Sequence, residues 1–98
     1  MYSMVDLLDL IHCEGAETLQ VRVGAPPVFI RQDTRQPVED YKIGAADAEE
    51  LLRSIANTRQ MRELWERGAV EFIYLFRRSI PFLVRAWVED ERVGFDIN

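Results

Sequence analysis

Between Gly44 and Phe72 the hydrophobic period changes, and that change restricts the chain to folds in which helices deliver it into a sheet. Ala48, Leu51, Leu52 and Ile55 stand at i, i+3, i+4 and i+7, one stripe of a 3.6-residue repeat, while Glu49, Glu50, Arg53 and Asn57 take the opposite side. Met61, Leu64 and Trp65 repeat the stripe on a second short helix, which Thr58 can cap and Gly68 can end in the left-handed region. This spacing predicts Trp65 in the core. From Val70 the period drops to two, which sets Val70, Phe72, Tyr74 and Phe76 on one face of a strand.

The flanking segments extend the same pattern. Ser3 and Asp6 resemble a capping box ahead of Leu7, Leu8, Leu10 and Ile11, so a first helix is expected to end near Gly15. Leu19, Val21 and Val23 alternate with polar residues as a half-buried strand, and Gly24-Ala25-Pro26-Pro27 breaks it. Two successive prolines remove two amide donors, so this link reads as an edge or a crossover. Val28–Arg31 resumes a short strand, and Gln32–Asp40 reads as a turn at Asp33 and Thr34 followed by a weak edge segment. Val70–Phe76 and Phe82–Glu89 are the strongest strands, and Glu89-Asp90-Glu91-Arg92 turns the chain into a last strand, Val93–Ile97.

Composition narrows the class. The 98 residues, 48% hydrophobic and 10% aromatic, suffice for one core, so residues 1–98 are expected to form a single α+β domain of five to six antiparallel strands with helices on one face. A net charge of -5 argues against a nucleic-acid surface. All basic residues but Lys42 are arginines, which suits planar pairing with carboxylates. Cys13 is the single cysteine, which excludes an intramolecular disulfide or a cysteine-based zinc cluster, and it is expected as a small core residue. A cytoplasmic setting is expected, because no 18-residue apolar run or basic leader is present.

The two faces of the sheet are unequal. Leu19, Val21, Val28, Ile30, Phe72, Val84, Phe95 and Ile97 are expected on the face that meets the helices. On the other face, polar residues such as Gln20, Glu71, Arg85 and Glu89 are interrupted by Phe29, Ile73, Leu75, Leu83 and Trp87. These five residues with Arg85 form a candidate interaction patch, and Trp87 beside Arg85 has the composition of a binding hot spot. On this reading Trp87→Asp disrupts association without unfolding. The competing reading is that the pleat slips by one residue or that the first helix covers this face.

These elements resemble the N-terminal PAS-like domain of the PilT-like pilus-retraction ATPases and their type II secretion relatives. The resemblance covers nearly the whole chain: a first helix, Leu19-x-Val21-x-Val23-Gly24-x-Pro26-Pro27, Asp33, Asp47-x-Glu49-x-Leu51-Leu52-x-x-Ile55, Arg59-Gln60 with Glu63, and Val70-Glu71-Phe72. It implies a PAS-like fold and a bacterial type IV pilus or type II secretion setting, in which such a domain helps assemble a hexamer ahead of an ATPase core. The present sequence holds no Gly-x-x-x-x-Gly-Lys-Ser/Thr loop, so a stand-alone domain without the motor is expected. The family's Ser-Asp-Leu-His is Glu17-Thr18-Leu19-Gln20 here, and its penultimate-strand Arg-Phe-Arg is Pro81-Phe82-Leu83, which removes the arginines able to reach a neighbouring subunit's nucleotide.

No chemistry can be assembled from the remaining residues. His12 and Cys13 are consecutive, about 100 degrees apart on a helix, and form no dyad. Glu89-Asp90-Glu91 with Asp96 lacks the spaced oxygens of a calcium loop and reads as a solvated turn. The chain is therefore read as a non-enzyme with no catalytic, cofactor or metal residues. Its expected role is protein–protein assembly, as a homodimer or as an adaptor on a pilus or secretion ATPase, with no nucleic acid and no membrane insertion. The alternative is a PAS-like sensor holding a small ligand between helices and sheet, which needs a cavity with convergent polar groups; the bulky apolar residues there predict a filled core.

Overall fold

The computed structural model describes residues 2–98. Helix α1 (Met4–Glu14) leads into β1 (Thr18–Val21), β2 (Val28–Arg31) and β3 (Thr34–Pro37), and α2 (Ala45–Arg53) and α3 (Thr58–Arg67) precede β4 (Ala69–Phe76), β5 (Ile80–Glu89) and β6 (Arg92–Ile97). The six strands form one antiparallel sheet in the order β3-β2-β1-β6-β5-β4. This is the α+β arrangement expected.

Local chemistry explains where the helices begin and end. Asn57, not Thr58, caps α3: its Oδ1 accepts from the Gln60 N–H at 2.7 Å, while Gln60 Oε1 accepts from the Asn57 N–H at 2.9 Å. Gly68 ends the helix at φ 83, as its position predicts. Helix α2 stops at Arg53, two residues short of the end of the expected stripe, yet Ile55 in the following turn is still buried. Met61 and Leu64 are buried, whereas Trp65 is 44% exposed, which corrects the expectation of a core tryptophan. It lies at the margin of the stripe, about 100 degrees from Leu64, and turns away from the sheet. Cys13 is also exposed rather than part of the core.

The Gly24–Pro27 link joins adjacent antiparallel strands and so is not a crossover. It is tied down by Ile43, whose carbonyl accepts from the Gly24 N–H at 2.8 Å and whose N–H donates to the Ala25 carbonyl at 3.0 Å. Pro27 and Ile43 are both fully buried, so the loop plugs one end of the core.

Strand β6 completes the interior. Leu19, Ile97 and Val84 lie opposite one another across β1, β6 and β5, as do Val21, Phe95 and Ala86, and all six are buried beneath the helices. On the outer face the neighbouring position is Gly94, opposite Trp87. A Cβ built on Gly94 would meet Trp87 Nε1 at 2.9 Å, so the indole lies flat against bare backbone. The Arg22 guanidinium lies over that ring, 4.4 Å from its centroid. Arg22 also donates to the Val21 and Phe95 carbonyls at 3.1 and 3.2 Å.

Three turns place pairs of residues other than glycine in the left-handed region: Gln32-Asp33, Arg77-Arg78 and Asp90-Glu91. Positive φ at both central positions matches the twist of a hairpin but costs an L-residue free energy that glycine avoids. Glu91→Gly is expected to stabilise the fold by about 0.5–1 kcal/mol in urea unfolding, and a loss of stability would contradict this account of the turn. Gly94→Ala is expected to cost about 1–3 kcal/mol by displacing the indole. In a Trp87→Ala background the same change should cost much less, and strict additivity in the double-mutant cycle would rule out the contact as the cause.

Candidate interaction surface

The register sets three rows of side chains across the outer face of the sheet. Trp87, Gly94 and Arg22 form the first, and Glu71, Arg85, Asp96 and Gln20 form the second. In the second row Arg85 Nε lies 2.9 Å from Glu71 Oε2, and Arg35 donates to Gln20 Oε1 at 2.8 Å. Arg22 Nη2 stands 2.9 Å from the buried Asp96 Oδ1, a charge contact without an aligned N–H. The third row begins with Ile73 opposite Leu83, followed by Asn98, whose Oδ1 accepts from the Thr18 hydroxyl at 2.7 Å. Beyond it Leu75 faces Pro81.

Of the six residues expected in the patch, the structure brings Ile73, Leu75 and Leu83 together at the hairpin end of β4 and β5. Ile73 and Leu75 are 59% and 56% exposed. Arg85 borders them, paired to Glu71. Trp87 lies on the outer face as expected, but it is half-buried against Gly94 and Arg22 instead of standing free beside Arg85. The contact makes Trp87 part of the packing that joins β1, β6 and β5, so Trp87→Asp would now be expected to lower stability.

Phe29 is corrected to the inner face. Its register partner Leu19 is fully buried, and directly opposed residues of an antiparallel pair share a face. Val28 and Ile30 therefore point outward, the reverse of the expected pleat. The one-residue slip is confined to β2, and α1 packs with the other helices on the inner face, where Met4 and Leu8 share a hollow with Ile55 and Tyr74.

Residues that periodicity did not single out shape the surroundings. Val5 on α1 is 53% exposed beside Tyr74, and Arg77 reaches from the β4–β5 turn to Asp9 of α1 at 2.7 Å. Bulky apolar side chains fill the space between helices and sheet. A hollow of about 330 Å³ lies to one side, between the end of α1 and the β2–β3 hairpin, lined by Phe29, Arg31, Gln32, Thr34 and Gln36 among others. Tyr2, whose hydroxyl donates to the Tyr41 carbonyl at 2.8 Å, has its phenol pushed above the ordinary range by burial and then by the charge of Glu39. It is remote in sequence from the patch. No helix among the described residues is long and apolar enough to cross a membrane.

No protein-family model and no curated protein matches the chain. Among solved structures, all of this chain superposes on 29% of the pilus retraction motor PilT with bound ADP, at a TM-score of 0.89 and 18% identity. It also matches the ATPase DotB of Legionella pneumophila (TM-score 0.75, 16% identity, 98% of this chain and 28% of that one). DotB of Yersinia pseudotuberculosis matches with a TM-score of 0.68 and 11% identity, over 95% of this chain and 28% of the other. The chain spans less than a third of the length of each of these proteins. At such identities the likeness is one of fold, and the fold is that of the N-terminal domain of PilT- and DotB-like ATPases.

Proposed function

We propose that this domain is a non-enzymatic protein–protein assembly module, related to the N-terminal domain of pilus-retraction and secretion ATPases, that docks through the outer face of β4 and β5. The observation that carries the reading is the exposed pair Ile73 and Leu75 beside Leu83. Burying the exposed part of two side chains of this size is worth roughly 1–2 kcal/mol each, enough to favour association when the surrounding surface is complementary. Arg78 stands in the turn beside this patch and suits a protein partner that presents a carboxylate, while Arg77 and Arg85 are paired within the chain to Asp9 and Glu71. A second copy of the chain or the ring of a pilus or secretion ATPase fits this description, and the fold shared with PilT and DotB supports a setting of that kind. A sensor would have to place its ligand in the open hollow beside Phe29, since bulky apolar side chains occupy the space between helices and sheet.

Leu83 is the residue through which to test the surface, because its backbone is bonded to Asn98 and its side chain lies on the outer face. Sedimentation equilibrium of the protein, alone and mixed with a pilus-retraction ATPase, is expected to reveal association that Leu83→Asp weakens at least ~10-fold while changing stability by no more than about 1 kcal/mol. Association at wild-type strength in the variant, or none in either sample, would refute the proposal.

A further inference from the structure

The backbone of β4 adds a directional feature to this surface. Val88 N–H donates to the Gly68 carbonyl at 2.9 Å, and Leu83 exchanges both of its bonds with Asn98 at 3.0 and 2.9 Å. In an antiparallel ladder such bonds alternate, so even-numbered β4 residues bond to β5, and the amides and carbonyls of Glu71, Ile73 and Leu75 point away from it. The outer-face side chains of β4 and its open backbone groups therefore belong to the same residues.

The two edges of the sheet differ. β3 is four residues long, exposed throughout, and carries Arg35 and Pro37, devices that blunt an edge against pairing. β4 is twice as long, has no proline or lysine, and carries one charge, Glu71. Apolar surface flanks it on both sides, Ile73 and Leu75 outside and Val5 of α1 inside.

Resting on the reading of this domain as an assembly module, we infer that β4 is the docking edge for a second copy of the chain, the two β4 strands pairing antiparallel about a two-fold axis at Tyr74. The occupant follows from self-complementarity. An axis at Ile73 would set Leu75 against Glu71 of the second copy, and an axis at Leu75 would carry Ile73 past the end of the second strand at Phe76, where Arg77 turns into the left-handed region. The axis at Tyr74 pairs Ile73 with Leu75 twice, so the exposed apolar pair meets its own copy, and it leaves Glu71, already paired to Arg85, beyond the end of the second copy's strand. It also places Phe72 opposite Phe76 on the inner face. The result is one continuous sheet with six strands from each copy.

Amide hydrogen exchange of the wild-type chain, read between about 10 µM and about 1 mM, tests this without a variant. Exchange at Ile73 and Leu75 is expected to slow at least ~10-fold with concentration; rates independent of concentration overturn the inference. Ile73→Pro removes the open amide without touching the ladder to β5, and is expected to leave a folded monomer by circular dichroism and sedimentation. A folded variant that still dimerises overturns the edge pairing. If Leu83→Asp abolishes association while the Ile73 and Leu75 amides exchange freely at every concentration, the edge inference fails and the assembly reading stands. If the wild type binds neither itself nor the ATPase ring, the assembly reading fails as well.

Discussion

The fold depends on β6 inserting between β1 and β5. Removing that strand would divide the sheet into a three-stranded piece built from the first part of the chain and a hairpin built from the last. The insertion is enforced from both sides: Phe95 and Ile97 are fully buried beneath the helices, and on the outer face Gly94 lets the Trp87 indole lie across the strand. Arg22 then bonds across the β1–β6 seam while stacking on the same indole. The Trp87–Gly94 contact lies within one hairpin, but the contacts of β6 with β1 and Arg22 are distant in sequence, so the core closes only when the last strand pairs with β1.

The outer face follows from this arrangement. At one end the Trp87–Arg22 stack uses its aromatic surface internally, and in the middle the Glu71–Arg85 and Arg22–Asp96 pairs neutralise one another. Among the described residues of this face, the large apolar side chains left exposed are Ile73 and Leu75 at the β4–β5 hairpin. The same strand is an edge, so side chains and unbonded backbone groups coincide there, and the surface offers affinity and register together.

Much of the architecture was legible in the sequence because its signals are local. The 3.6-residue stripes, the glycine stop at Gly68 and the alternation in β4 and β5 each arise within a few residues. What was not legible depends on pairing. Val28-Phe29-Ile30 is apolar at every position, so its own pattern carries no parity, and only its register with β1 turns Phe29 inward. Trp65 stands on the margin of a stripe, where a single step of 100 degrees decides between core and solvent. Ile43 lies in no periodic element and is buried through its bonds to the Gly24–Pro27 loop. Of the candidate surface, Ile73, Leu75, Leu83 and Arg85 were found by alternation in long strands, while the packing role of Trp87 required knowing that Gly94 lies opposite.

The measurement that tests the central claim most directly is methyl NMR of the assembled state, comparing dilute and concentrated protein. Association through the hairpin end of the sheet predicts shifts in the methyl groups of Ile73, Leu75 and Leu83, with those of the buried Val84 and Ile97 unchanged. Shifts confined to the neighbourhood of Trp65 on α3, or spectra that do not change with concentration, would contradict it.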